Sequence, residues 1–228
     1  MPDPRAVLRS IPLFSTLGDQ AIERILRIAR PRSVRARAVL FDKGDAGAQL
    51  YAVLSGRLKV VTSGVTGADA TFSILGPGDV FGEIALLDGH VRSARVTALE
   101  SCHLVVIDRE PFVEFLRASP DMAVGMLAVL AHRIRVLSER VEDAAFLDVP
   151  ARLAKQIVRL AERYGEPAPG GVRLALRISQ HELGELVGAT RESVNKHLQS
   201  WSRRRLVARE GGRLIVRDLR ALRSLAAG

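Results

Sequence analysis

From Val34 to Ile107 no apolar run lasts long, because glycines at positions 44, 47, 56, 64, 67, 76, 78, 82 and 89 keep interrupting the chain. A helix tolerates that punctuation poorly, since each interior glycine costs roughly 1 kcal/mol relative to alanine. Short strands joined by tight turns accept it. Leu50-Tyr51-Ala52-Val53-Leu54 and Leu58-Lys59-Val60-Val61 flank Ser55-Gly56 and read as a hairpin. Phe72-Ser73-Ile74-Leu75 runs into Gly76-Pro77-Gly78-Asp79, a turn made of the residues that turns select. Repeated strand-and-turn units of this length predict a small antiparallel barrel or roll.

Helical patterns lie on either side. Ile22, Ile25, Leu26 and Ala29 recur at helical spacing, which predicts a helical segment from about Arg5 to Ala29. Pro120 opens a longer helix that runs to about Phe146. Along it Leu127, Ile134 and Val141 recur every seven residues, with Leu130, Leu137 and Ala144 as a second seam. Apolar a and d positions over three heptads predict a parallel two-helix coiled coil, and so a homodimer. The narrow seam, flanked by Arg133, Arg135, Glu139, Arg140 and Glu142, favours that reading over a helix lying on its own domain. Pro150 then interrupts, since proline opens a helix more readily than it continues one. A helix from Ala151 to Arg163 and a Gly/Pro-rich loop from Gly165 to Gly171 follow.

Charge is spread unevenly. Residues 1–147 carry a net charge of +1 and residues 148–228 a net of +8. A polyanion such as DNA is the economical partner for the C-terminal third. No basic amphipathic helix with bulky aromatics suggests a membrane surface instead. With 47% hydrophobic residues, no apolar run of membrane-spanning length and no signal-peptide pattern, the chain reads as soluble and cytoplasmic. A single cysteine, Cys102, excludes an internal disulfide and a cysteine-ligated iron–sulfur cluster within one chain. Cys102-His103 lies in a strand-like run, which reads as a core thiol beside an edge histidine rather than a haem ligand pair. His90, His103, His132, His181 and His197 have no carboxylate companions at metal-ligand spacing, so neither a metal site nor an enzyme is expected.

The basic third holds a DNA-reading pattern. Ser179-Gln180-His181-Glu182 is a capping box, and the helix it opens ends at Gly188. Thr190 caps a second helix from Arg191 to about Arg203, with Val194, Leu198 and Trp201 on its buried face. Two short helices joined by Gly188-Ala189-Thr190 make a helix-turn-helix. Leu206-Val207-Ala208 and Leu214-Ile215-Val216 around Glu210-Gly211-Gly212 supply a wing. Arg191, Glu192, Asn195 and Lys196 are free to face DNA, where arginine pairs with guanine and glutamate accepts from cytosine. Ser179, Gln180 and His181, at the start of the neighbouring helix, are also expected to bind DNA. Thr190, Lys155 and Arg203 to Arg205 are assigned to phosphates, setting affinity and salt dependence.

In the glycine-rich segment, Gly82-Glu83 and Arg92-Ser93 enclose the apolar run Ile84-Ala85-Leu86-Leu87, which Asp88-Gly89 stops. The first N–H groups of such a turn have no intrahelical partner, and together with Arg92 they suit an anion. Glu83 would repel an anion but accepts from a sugar hydroxyl. The pattern asks for a ligand carrying phosphate and ribose.

This stretch resembles the phosphate-binding cassette of the CRP/FNR superfamily, and specifically its cyclic-AMP receptor branch. The resemblance extends from about Ile11 to Leu219: Lys43-Gly44-Asp45 and Leu54-Ser55-Gly56 in the roll, Phe146-Leu147-Asp148-Val149 at the hinge, and Arg191-Glu192-x-x-x-Lys196 on the reading helix. It implies an α+β chain with three parts: a jelly-roll-like antiparallel β-roll sensor (1–119), a dimerisation helix and hinge (120–147), and a winged helix-turn-helix (148–228). It implies that Glu83 takes the ribose 2′-hydroxyl, that Arg92 and the Ser93 backbone take the cyclic phosphate, and that the Gly82 backbone approaches the sugar. Ile84, Ala85 and Ala94 complete that ligand set. It further implies a cyclic-nucleotide effector, a palindromic TGTGA-like operator and RNA polymerase as a partner.

The chain departs from the family in two places. Lys196 replaces an arginine, keeping the charge but losing the fork. Leu137 and Ser138 stand where the family has a Thr-Ser pair that meets the adenine amino group. Leu137 cannot accept from that group, whereas Ser138 can hydrogen-bond a base and Arg133 can donate to guanine. Cyclic AMP, cyclic GMP and a cyclic dinucleotide therefore all stay open.

Overall fold

The computed structural model describes residues 4–15, 17–63 and 69–227, so Gly64 and Gly67 of the glycine pattern lie outside the described residues. The molecule divides into two compact units, Met1–Arg135 and Val136–Gly228. The chain opens with three helices, α1 (Pro4–Ser10), α2 (Pro12–Ser15) and α3 (Asp19–Ile28). The helical segment expected from about Arg5 to Ala29 is divided at Pro12, which has no N–H to carry the first helix onward, and at Gly18, which is extended ahead of α3. Ala29 caps the end of α3, its N–H donating to the Ile25 carbonyl. It also starts β1 (Ala29–Val34).

The roll continues with β2 (Val39–Phe41), β3 (Gln49–Ser55), β4 (Leu58–Ser63), β5 (Asp69–Leu75), β6 (Val80–Phe81), the short helix α4 (Glu83–Asp88), β7 (Arg95–Ala98) and β8 (Cys102–Asp108). Two antiparallel sheets result, ordered β1-β8-β3-β6 and β2-β7-β4-β5. The expected Leu50–Val61 hairpin does not form. β3 pairs with β8 and β6, whereas β4 pairs with β5 and β7, so Ser55-Gly56 carries the chain from one sheet to the other. Gly56 is needed for a different reason from a hairpin turn. At φ +83° its Cβ would stand 2.5 Å from the Ser101 carbonyl oxygen and 2.6 Å from Cys102 Sγ.

Strand alternation explains why β3 is apolar throughout. Leu50 and Ala52 join the core under the N-terminal helices, while Tyr51 and Val53 face the core between the sheets. α5 (Arg109–Ala118) and the start of α6 (Pro120–Phe146) close the first of these cores with Phe112, Phe115, Met122 and Met126. Further along α6, Leu127, Ile134, Leu137 and Val141 are all more than half exposed, which leaves the heptad seam uncovered in a single chain.

The second unit continues with α7 (Val149–Tyr164), whose N-terminus is capped by the Asp148 carboxylate accepting from Ala151 N at 2.9 Å. The expected Gly165–Gly171 loop contains sheet. β9 (Gly165–Ala168) and β10 (Gly171–Leu174) pair with each other, and β10 also pairs through Val172–Val216 and Arg173–Ile215 with a later strand, β12 (Arg213–Val216). The β12 partners lie too far along the chain for a local pattern to show. α8 (Gln180–Val187), α9 (Arg191–Arg203), β11 (Val207–Glu210), β12 (Arg213–Val216) and α10 (Leu219–Ala226) complete the unit. The wing joins the sheet β11-β12-β10-β9, and Gly211 and Gly212 both take the positive φ that a type I′ turn requires.

Candidate ligand cassette and DNA-reading face

Gly82 sets the cassette geometry. Its φ of +81° turns β6 directly into α4, and a Cβ there would lie 2.7 Å from Arg92 Nη1 and 2.8 Å from the Gln49 carbonyl oxygen. Glu83, the first residue of α4, is fully buried. Its Oε1 accepts from Arg133 on α6, and the other terminal nitrogen of Arg133 donates to the Val80 carbonyl. Glu83 Oε2 is buried without a hydrogen-bond partner. Arg133 is thereby occupied and does not stand free to read a guanine. The acceptors that hold it lie some fifty residues away in sequence, on the turn from β6 into α4.

Arg92 is 3% exposed and donates through Nη1 to the Gly82 carbonyl and through Nη2 to the Gln49 carbonyl, each at 2.9 Å. Its guanidinium lies 4.3 Å over the Phe41 ring and 5.5 Å from that of Tyr51. Burial pulls its pKa below the usual arginine value, opposed by the nearby Tyr51 and Glu83. Arg92 Nε is buried with no partner. The backbone is pinned as well: Gly44 N–H donates to the Arg92 carbonyl at 2.9 Å, and Arg92 N–H to the Asp45 carbonyl at 2.8 Å. The Lys43-Gly44-Asp45 turn thus holds Arg92 in place. Gly47 lets the same loop lie on α4, since a Cβ there would come within 2.2 Å of Ala85 Cβ.

Gly82, Glu83 and Arg92 are therefore brought together, although Glu83 and Arg92 do not pair with each other. Ala85 is buried, Ala94 is half-buried, and Ile84 and Ser93 are exposed. Leu137 and Ser138 are exposed on α6. A cavity of about 690 Å³, the size of a small-molecule site, lies against Arg92 and is also lined by Arg32, Phe41, Gln49, Tyr51 and Asp108. Sequence reading missed Phe41 and Tyr51, the aromatic bed of Arg92. Their strands are apolar throughout, so no alternation marked these two rings.

The reading face is assembled by its caps. Ser179 Oγ accepts from Glu182 N at 3.1 Å, and the Glu182 carboxylate accepts from Ser179 N at 2.8 Å. Gly188 ends α8 at φ 64°, and Thr190 Oγ1 accepts from Ser193 N at 3.2 Å to start α9. Gly184 allows the close approach of the turn, because a Cβ there would meet the Ala189 carbonyl oxygen at 2.5 Å. Val194, Leu198 and Trp201 are buried, which leaves Arg191, Glu192 and Lys196 exposed. Among the described residues Glu192 and Lys196 form no ion pair. Asn195 is half-buried, with Oδ1 accepting from Gln180 Nε2 at 2.9 Å, and His181 lies 3.4 Å from Glu185. Arg203, Arg204 and Arg205 are exposed. Lys155, expected on a phosphate, is instead paired with Asp143 near the end of α6, where Arg159 also reaches Glu139 at 2.8 Å. Beside them burial and the charge of Arg159 lower the pKa of Arg140.

Comparison with known proteins matches residues 31–119 to the cyclic nucleotide-binding domain family and residues 151–225 to the Crp-like helix-turn-helix domain family. A CRP-like cAMP-activated global transcriptional regulator of Mycobacterium tuberculosis is 31% identical, over 93% of this chain and 95% of its own length. The cyclic AMP receptor protein of Thermus thermophilus is 29% identical, over 97% and 99%. Among solved structures, the c-di-GMP responsive global regulator CLP of Xanthomonas campestris superposes with a TM-score of 0.75 at 25% identity, covering 87% of this chain and 99% of that one.

Proposed function

The chain belongs to the CRP/FNR superfamily of transcription regulators, and from that premise we propose that it is a cytoplasmic, non-enzymatic homodimer whose affinity for DNA is set by a cyclic nucleotide. The observation that carries the effector reading is Arg92. A guanidinium 3% exposed, bedded on Phe41 and with Nε unpartnered, is costly to keep unless an anion joins it. Arg92 and the Ser93 backbone hold the cyclic phosphate, and the spare oxygen of Glu83 takes the ribose hydroxyl. The heptad seam of α6 takes the partner copy. Ligand favours one arrangement of the paired helices, and the hinge from Phe146 to Pro150 passes that choice to the two reading helices. They reach a palindromic TGTGA-like site when about one DNA turn, roughly 34 Å, apart. RNA polymerase is the further partner.

The effector is cyclic AMP or cyclic GMP. A cyclic dinucleotide is a second reading, supported by Leu137 in place of a base-accepting residue and by the likeness to a c-di-GMP responsive regulator. Calorimetric titration with cyclic AMP, cyclic GMP and cyclic di-GMP tests this, with Arg92→Ala as control and melting curves to verify its fold. Heat from one ligand, lost in the variant, is expected. No heat from any of them overturns the effector reading.

A further inference from the structure

The cavity beside Arg92 is walled by β1, β2, β3, the loop that follows β2 and the first turn of α5, and of the cassette residues it touches Arg92 alone. We propose that it is a second ligand site, which takes a phosphorylated sugar or polyol and opposes the cyclic nucleotide through the arginine they share. The opposition rests on the proposed place of the cyclic phosphate at Arg92; the second site does not.

The reason lies in which polar groups are already spent. Arg30 donates to Asp108 Oδ2 at 2.6 Å, and Gln49 Nε2 donates to Asp108 Oδ1 at 3.0 Å. The Tyr51 hydroxyl donates to Gln49 Oε1 at 2.6 Å and accepts from Arg32 Nη1 at 3.4 Å. Asp108, Gln49 and Tyr51 thus satisfy one another. The cavity's arginines differ. Arg109 spends Nε on the Leu86 carbonyl at 2.7 Å, and its terminal nitrogens meet no acceptor among the described residues. Arg32 is exposed, and its hydrogen bonding among the described residues ends at Tyr51. Arg92 keeps a buried Nε without a partner, in a residue only 3% exposed. Three guanidiniums with donors to spare suit a phosphate, which accepts several charge-assisted hydrogen bonds at once. Two carboxylates complete the lining. Asp45 Oδ2 accepts from Asp42 N–H at 2.8 Å, which leaves Oδ1 without a hydrogen bond among the described residues, and Glu110 is exposed at the start of α5. They repel a second anionic group but accept from hydroxyls. The combination selects one phosphate on a hydroxylated body over a di- or triphosphate. At about 690 Å³ the cavity has room for it.

Arg92 gives one terminal nitrogen to the Gly82 carbonyl of the cassette and the other to the Gln49 carbonyl. A phosphate at its Nε neutralises the charge that the cyclic phosphate draws on, so each ligand weakens the other by the same factor. Calorimetry on the full-length protein in phosphate-free buffer tests this, with ribose 5-phosphate, ribose, cyclic AMP, cyclic GMP and cyclic di-GMP as probes. Ribose 5-phosphate should bind once per chain, and ribose should give no heat. Arg32→Ala and Arg109→Gln should each weaken the sugar phosphate about tenfold or more while the cyclic-nucleotide heat is kept. Melting curves verify that both variants fold. In the wild type, saturating ribose 5-phosphate should weaken the responding cyclic nucleotide about fivefold or more. If ribose 5-phosphate gives no heat, or binds both variants as it binds the wild type, the second site is refuted. If its binding depends on Arg32 but leaves cyclic-nucleotide affinity unchanged, the shared use of Arg92 is refuted. If its binding depends on Arg32 and no cyclic nucleotide gives heat, the second site stands and the effector reading fails.

Discussion

Replacing Arg133 by methionine keeps the aliphatic stem and removes the charge that Glu83 faces. Glu83 is fully buried and its second oxygen already lacks a partner, so the variant strands a carboxylate inside the roll. Breaking a buried pair from one side costs about 3–5 kcal/mol. The Arg133 side chain is 35% exposed, so water reaches the vacated space and lowers that to roughly 2–3 kcal/mol. Glu83→Gln should cost less, about 1 kcal/mol, because an amide oxygen still accepts from Arg133. In the double variant no charge is stranded, and adding Arg133→Met should cost only about 1 kcal/mol more. The double-mutant cycle should therefore show a coupling of about 1.5 kcal/mol. Urea unfolding followed by circular dichroism is the assay, because the one tryptophan, Trp201, lies in the second unit and does not report on the roll. A coupling below about 0.5 kcal/mol would show that the Glu83 carboxylate does not depend on Arg133, and the reasoning from burial would fail.

Gly82→Ala should destabilise the roll by roughly 2–4 kcal/mol, through a positive φ and the displaced Arg92 hydrogen bonds. It should also abolish the calorimetric response to cyclic nucleotide, and retained binding would place the ligand elsewhere. Arg205 holds φ 58° without being glycine, so Arg205→Gly should raise stability by about 0.5–1 kcal/mol in a melt. The same change should lower DNA affinity uniformly across sequences and flatten its salt dependence, as loss of a phosphate contact does. Burial raises the pKa of the Cys102 thiol above its ordinary value. The folded group stays protonated where the unfolded one ionises, so stability is fully present below about pH 8.5 and falls as pH rises beyond it. Folded protein at pH 8 should resist a thiol-specific disulfide reagent that labels it at once in urea; rapid labelling of the native state would contradict that burial.

What could be read from the sequence was whatever neighbouring residues decide among themselves. The Ser179–Glu182 box, the Gly188 stop, the Thr190 cap and the Gly82–Gly89 bracket around α4 all formed where their spacing placed them, because each satisfies its hydrogen bonds within a few residues. The extent of α6 was legible for the same reason, since a 27-residue helix is written in its own periodicity. Partner choice was not. Whether Leu58–Val61 folds back on Leu50–Leu54 or crosses to the other sheet depends on β7 and β8, dozens of residues downstream. β10 pairs locally with β9, but its place in the wing sheet depends on β12 coming back to it some forty residues later. The functional groups divide in the same way. Glu83 and Arg92 declared a sugar-phosphate chemistry through their types and spacing. That Arg133 would occupy Glu83, that Phe41 and Tyr51 would bed Arg92, and that Gln180 would take one face of Asn195 were tertiary decisions. Each follows from which buried polar group found its acceptor across the fold, because in an interior that excludes water an unmatched donor or charge costs more than any local preference offers.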